Sequence, residues 1–133
     1  YPREEYNIVP SNHSSVRDYI QNHILTSLDY YKRGMSLFKN SSFFIFSDDI
    51  EWCKAQPIFC NPENKIVFFD TKNAYVDLCL MSLCDHNIIA NSSYSWWGSY
   101  LNKNPNKIVV APPKWLDYRD ASHMYLEDWI VLK

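Results

Sequence analysis

The sequence predicts an α/β domain, a three-layer Rossmann-like arrangement around a mostly parallel sheet. Three observations carry that prediction. Four short apolar runs, Phe43 to Phe46, Ile66 to Phe69, Asn87 to Ala90 and Ile108 to Ala111, are separated by helical stretches, the order of parallel strands joined by helical crossovers. The first run is apolar at successive positions, as in a strand covered on both faces. The first three runs end in small polar residues at which a helix can begin. With 133 residues, 47% of them hydrophobic, the chain suits a single domain with a real core.

Residues 1 to 12 carry two prolines, several charges and no period, so they read as a loop or as a segment joined to something upstream. From Ser15 to Lys39, Val16, Tyr19, Ile20, Ile24, Leu28, Tyr31, Met35 and Phe38 recur every three to four residues. That spacing predicts one long amphipathic helix, capped by Ser14 or Ser15. Asn40-Ser41-Ser42 breaks the pattern before the first strand, which ends in Ser47-Asp48-Asp49. Asp48 or Asp49 can cap a short helix over 50 to 55, and Pro57 and Pro62 bracket a loop. After the second strand, Asp70, Thr71 and Asn73 open a helix over 74 to 84, with Tyr75, Leu78, Met81 and Leu83 expected inward. The third strand runs into the turn Asn91-Ser92-Ser93 and a helix starting near Tyr94 or Ser95. Asn102 to Asn106 is a polar turn, and Pro112-Pro113 stops the fourth strand. The tail from Lys114 scatters Trp115, Tyr118, Tyr125 and Trp129 without a period, so irregular structure with a short helix is expected there.

Composition removes several function classes. Glycine occurs only at 34 and 98, which excludes a Gly-rich phosphate loop and leaves helix N-termini and side chains for any phosphate. A net charge of −2 supplies no basic field, so nucleic acid is not an expected partner. No apolar run approaches the roughly 18 residues needed to span a bilayer, and the first residues lack a signal peptide's regions. A soluble, intracellular protein is therefore expected. Cys53, Cys60, Cys79 and Cys84 form no CxxC pair and are expected to be reduced, partly buried thiols, although Cys84-x-His86 has the look of a metal pair. The Asn-x-Ser sequons at Asn12, Asn40 and Asn91 are then chance matches.

Ligands of open parallel sheets collect at the carboxyl ends of the strands. Those ends here are Ser47-Asp48-Asp49, Asp70-Thr71 and Asn91-Ser92-Ser93. Serine hydroxyls and N–H groups at a helix start suit a phosphate, and an acidic pair suits a base or ribose. The same residues are also ordinary helix caps, and both readings stand at this point. A divalent-metal site at Asp48 and Asp49 would need more oxygen ligands than the motif offers. Trp96 and Trp97 project about 100° apart, so at most one faces a site while the other packs on the sheet. His86, at the start of a strand, is expected to be a hydrogen-bonded structural residue.

Three stretches, FFIFSDDIEWCK (43 to 54), DLCLMSLCDHNIIANSSYSWWGSYLN (77 to 102) and KIVVAPPKW (107 to 115), make the chain resemble the bacterial α-1,2-fucosyltransferases of glycosyltransferase family eleven. DYYKRGMSLF (29 to 38) resembles the helix that precedes the family's SDD strand. The resemblance implies the C-terminal, donor-binding half of a two-Rossmann (GT-B) enzyme. Such an enzyme moves L-fucose from GDP-β-L-fucose to a galactose 2-hydroxyl of a glycan with inversion and without an obligatory metal. By position, Asp48 and Asp49 correspond to the acidic pair near the nucleoside, and Asn91, Ser92, Ser93 and Ser95, with Trp96, to the segment around the pyrophosphate. The family's His-x-Arg-x-Gly-Asp motif and its acceptor-binding N-terminal domain have no counterpart here. The reading is thus of a fragment, 1 to 133, that is inactive alone, with no catalytic base assigned. A non-catalytic nucleotide- or sugar-binding module of the same fold is the alternative. The parent enzyme is expected in the cytoplasm, peripherally associated with the cytoplasmic face of the inner membrane.

Overall fold

A computed structural model describes residues 27 to 116, 119 to 120 and 124 to 132. The expected helix over 15 to 39 appears there only in its second half. Ser27 is extended (φ −70°, ψ 154°), and its side chain accepts the Tyr30 N–H, so helix α1, Leu28–Ser36, starts afresh at this cap. A serine next to a helical apolar pattern wins the local competition as an N-cap, and periodicity alone does not reveal that break. The remainder of the expected helix, and the loop before it, lie outside the described residues.

Strand β1, Ser42–Phe46, follows a turn in which Asn40 takes a left-handed conformation (φ 58°). Helix α2, Ile50–Lys54, and a 3-10 turn, Pro57–Phe59, lead to β2, Lys65–Phe69. Helix α3, Ala74–Leu83, β3, Asn87–Ile88, helix α4, Ser93–Tyr100, and β4, Val109–Ala111, then alternate as the sequence predicts. Strands β5, Lys114–Leu116, β6, Arg119–Asp120, and β7, Ile130–Val131, come from the tail. That corrects the expectation of an irregular tail. Such short strands carry no readable period and are set by the partner edge. Here β7 pairs in parallel with β4, Val110 opposite Ile130 and Ala111 opposite Val131.

The molecule is mixed α/β with parallel strands, but among the described residues the expected single sheet divides in two. β1 and β2 pair in parallel in full register, Phe43 opposite Ile66 and Phe46 opposite Phe69. Separately, β3, β4 and β7 form a parallel sheet, Asn87 opposite Val109 and Ile88 opposite Val110. β5 and β6 make a small antiparallel pair. Helices cover both faces of the second sheet. On one face α1 comes so close that a Cβ on Gly34 would stand 3.2 Å from Ile88 Cγ2. On the other, Trp96 of α4 packs on the cluster of Ile89, Val109, Ala111 and Trp129. Among the described residues one face of β1 and β2 is well covered, by Met35, Cys53 and Phe59, while Phe44 and Val67 on the opposite face are exposed.

Helix α3 corrects another expectation. Asp77 and Met81 are its buried residues, whereas Tyr75 and Leu83 are 86% and 74% exposed. The stretch 78 to 84 is apolar at nearly every position, so spacing does not single out a face; the i, i+4 pair Asp77 and Met81 is selected by packing on α4. There Met81 Cβ lies 3.2 Å from where a Cβ on Gly98 would stand. None of the described helices is long and apolar enough to cross a membrane.

The cysteines also separate. Cys53 is buried, Cys84 half-buried, and Cys60 and Cys79 exposed, all as free thiols. Burial, with the charge of Asp85 second, pushes the Cys84 thiol up from its ordinary range. Alkylation at pH 8 followed by peptide mass mapping should therefore label Cys60 and Cys79 first, Cys84 later and Cys53 last. Cys53 should lag the exposed pair by at least about tenfold, since the thiolate is the reactive form and must be reachable.

Candidate functional site

The two sheets face each other across a cleft of about 620 Å³. Its walls are β1, the apolar side of α1 and the edge of β3, so Tyr31, Met35, Phe43, Ile45 and Ile88 line its length. One polar end is formed where β1 and β3 finish, with Ser47 and Asp48 on one side and Asn91, Ser92 and Ser95 on the other; the opposite end, where the strands begin, carries Asn40, Ser41, Asp85 and His86. Acidic and serine-rich strand ends that are distant in sequence thus share one mouth.

The acidic pair divides its labour. Asp49 is the N-cap of α2, its Oδ1 accepting the Trp52 N–H at 2.9 Å, and its own N–H donates to Ser47 Oγ at 3.0 Å. Asp48 is exposed and lines the cleft. A cap carboxylate also favours the positive end of its helix, so the capping reading fits Asp49, while Asp48 is the carboxylate of the pair that lines the cleft.

The serine turn divides likewise. Ser92 caps α4, its Oγ accepting the Ser95 N–H at 3.5 Å, and Trp96 N–H donates to Ser92 O at 3.0 Å as the first helical bond. Ser95 is buried, and its hydroxyl lies 3.0 Å from Ser92 O and 3.2 Å from Ala90 O, carbonyls to which it donates. That bond folds the turn back on the end of β3. Ser93 is exposed and stands outside the cleft lining, and Asn91 is half-buried within it. The arrangement brings the N-terminus of an eight-residue helix to the mouth, where helix N–H groups and serine hydroxyls attract an anion.

Trp96 lies elsewhere. Its Nε1 donates to Met124 O at 2.8 Å, and its ring stacks on Tyr100 at 5.1 Å and lies 5.8 Å from Trp129. Trp96 thus takes the core position of the adjacent pair, and Trp97 is the exposed one at 49%. His86 is structural as expected: its Nδ1 accepts the Ile108 N–H at 2.9 Å and its ring stacks on Phe38 at 5.2 Å. With Nδ1 accepting, a neutral ring carries its proton on Nε2 and has no lone pair left for a substrate proton. Among the described residues no three His, Cys, Asp or Glu side chains converge as metal ligands, Cys84 and His86 included.

Around the cleft lies a set of polar contacts, two of them centred on the buried amides Asn87 and Asn102, which the sequence reading did not select. Asn87 donates from Nδ2 to Met81 O at 2.8 Å. Asn102 donates from Nδ2 to Asn87 Oδ1 at 2.8 Å and to Cys84 O at 2.7 Å. Lys107 Nζ donates to Ser99 O and Asn102 O at 2.7 and 2.8 Å, closing the carbonyl end of α4. At the other end of α3, Thr71 Oγ1 donates to Asp77 Oδ1 at 2.6 Å, and Tyr94 OH donates to Ala74 O. Tyr94 is pushed up to about 12 by burial first and the Asp77 charge second. The readable signal was an asparagine inside an apolar strand run, since a buried amide requires partners.

Comparison with known proteins now bears on this geometry. The chain is 38% identical to the Escherichia coli O-antigen biosynthesis glycosyltransferase WbnK over an alignment covering 86% of the chain and 41% of that protein. It is 39% identical to an Escherichia coli alpha-1,2-colitosyltransferase, with 77% of the chain and 34% of the relative covered. The chain thus spans well under half the length of these curated relatives. No solved structure matches it. The model of glycosyl transferase family 11 matches residues 12–133, and the chain belongs to that family.

Proposed function

We propose that this chain is the donor-binding part of a glycosyltransferase that moves L-fucose from GDP-β-L-fucose to a galactose 2-hydroxyl of a glycan, with inversion and without an obligatory metal. The observation that carries the proposal is the shared mouth of Asp48 with Asn91, Ser92 and Ser95 at the carboxyl ends of two parallel strands. In this reading the α4 N-terminus receives the diphosphate and Asp48 accepts from the nucleoside. The departing diphosphate gains negative charge in the transition state, where N–H and hydroxyl donors already in position stabilise it more than they stabilise the bound donor. The acceptor glycan would be held mainly by polypeptide outside this chain, so the isolated chain is expected to bind donor and transfer almost nothing. The enzyme would work in the cytoplasm, at the inner face of the inner membrane. A colitosyl donor is the second reading, supported by the name of one relative; competition of each sugar nucleotide against bound GDP separates the two.

Calorimetry with GDP and with pyrophosphate tests the assignment. Ser92→Ala/Ser93→Ala should weaken both about five- to twentyfold, the loss of one or two charge-assisted hydrogen bonds. Asp48→Asn should weaken GDP by a similar factor and leave pyrophosphate unchanged. Since Ser92 also caps α4, a thermal melt must show the double variant folded. Unchanged GDP affinity in the folded double variant removes the phosphate role, and equal losses of GDP and pyrophosphate at Asp48→Asn remove the nucleoside role.

A further inference from the structure

We infer that Lys72, on the loop between β2 and α3, is the cation that pairs with the diphosphate of the bound donor. This role rests on the donor-binding reading above and adds to it the positive charge that the mouth itself lacks.

Charge gives the first argument. The ends of β1 and β2 carry three carboxylates, Asp48, Asp49 and Asp70. The N-terminus of α4 offers about half a positive charge, too little to offset them and a multiply charged ligand together. A diphosphate held at this edge therefore needs a full cation beside it. Between residues 42 and 111 the basic side chains are those of Lys54, Lys65, Lys72, Lys103 and Lys107. Lys54 ends α2 and is paired with Glu51 at 3.3 Å. Lys65 begins β2, and Lys103 and Lys107 lie between α4 and β4, at the edge where parallel strands start. Lys72 alone follows a strand end. It stands three residues past Phe69, whose partner across the sheet is Phe46, two residues before Asp48.

Geometry gives the second. The loop is anchored on both sides of Lys72, which is itself exposed. Thr71 Oγ1 donates to the buried Asp77 at 2.6 Å and accepts the Asn73 N–H at 3.2 Å. Asn73 Oδ1 accepts the N–H groups of Tyr75 and Val76 at 3.0 and 3.2 Å. Tyr94, in the first turn of α4, donates its hydroxyl to Ala74 O, two residues past Lys72. The loop is thus tied to the helix start that receives the diphosphate, and the flexible four-carbon stem of a lysine carries the ammonium from the one to the other. The backbone gives the third. Lys72 has φ 56°, in the left-handed region where glycine or asparagine is the ordinary choice. A lysine held there costs stability without making a backbone contact that needs it, which points to the side chain as the reason.

Calorimetry on the full-length protein with GDP and with pyrophosphate tests the assignment. Lys72→Gly should weaken both equally, about five- to twentyfold at about 50 mM salt. That factor should fall below about threefold near 1 M salt, where charges are screened within about 3 Å. Lys72→Arg, which keeps the charge, should stay within about threefold of the parent. The glycine variant should also melt about 2 to 4 °C higher, because it relieves the left-handed conformation. A purely structural lysine predicts no loss of affinity from a change that stabilises its loop, so the opposite signs of melting temperature and affinity single out the ammonium. Equal GDP affinity of Lys72→Gly and parent overturns the inference and leaves the donor-binding reading standing. So does a loss that salt does not diminish, or one that comes with a lowered melting temperature and marks a disrupted loop. A parent that binds neither ligand overturns both readings.

Discussion

Replacing Tyr30 by alanine is expected to destabilise the fold by about 3 to 5 kcal/mol, the range for truncating a large buried ring. Tyr30 is 3% exposed, and its hydroxyl stands 2.7 Å from Ile89 O and 3.0 Å from Val110 O, donating to carbonyls of two adjacent strand segments. The ring fixes α1 on the sheet and the hydroxyl fixes its height. Tyr30→Phe removes only the hydroxyl and should cost about 1 to 2 kcal/mol. Urea denaturation of the two variants separates the contributions; a shift below about 1 kcal/mol for Tyr30→Ala would mean that α1 does not depend on this contact. Burial first, then Tyr31 and Tyr125, holds the phenol of Tyr30 well above its ordinary value near 10. A raised folded value means that the protonated form is favoured in the native state. Its stabilisation is complete below about pH 10 and falls as the pH rises past that value, where the unfolded phenol ionises first. Stability measured from pH 9 upward should decline less steeply in Tyr30→Phe than in the parent.

Asn102→Asp should cost a similar amount, about 3 to 5 kcal/mol at pH 7, although it changes almost no volume. Asn102 is 4% exposed, and its Nδ2 donates to two oxygens, Cys84 O and Asn87 Oδ1. A carboxylate would aim negative charge at both and leave them without a donor. The introduced acid would have a raised value in the folded state, so the penalty should shrink as the pH falls through that value and the variant should approach the parent in acid. A chemical-denaturation series between pH 4 and 8 reads this directly. A variant as stable as the parent at pH 7 would show that the Asn87 and Asn102 amides are not the tie between β3 and the end of α4.

Most of the helix and strand order was legible in the sequence because it rests on strong local signals. Phe43 to Phe46 and Ile66 to Phe69 are dense apolar runs closed by polar residues, and Asn73 stands one residue before helix α3 as its cap; helix α4 was legible too, but three serines in four positions hid that Ser92 caps it and that it starts at Ser93. What stayed hidden was decided at long range. Ile130 and Val131 are strand because β4 offers an edge, and Trp96 is core because Trp129, distant in sequence, meets it. The site was legible as a set of strand ends but not as a division of roles. The letters of Asp48 and Asp49 are identical; only the backbone turn at Ser47 sends one carboxylate to Trp52 N–H and the other to the cleft.

The tryptophans give the molecule a built-in optical read-out. Trp96 and Trp129 belong to the aromatic cluster with Tyr100 and Tyr125 on the α4 side of the second sheet, and Trp97, half-exposed, meets its edge through Trp96 and Tyr100. Trp52 lines the cleft itself, its backbone N–H held by the Asp49 cap. In a variant whose other tryptophans are replaced by phenylalanine, quenching at Trp52 would report whether the cleft is filled, and the emission lost on removing Trp96 and Trp129 would report the assembly of the second sheet. Occupancy and folding thus fall on different indole rings, and single-tryptophan variants read them apart with no label attached to the protein.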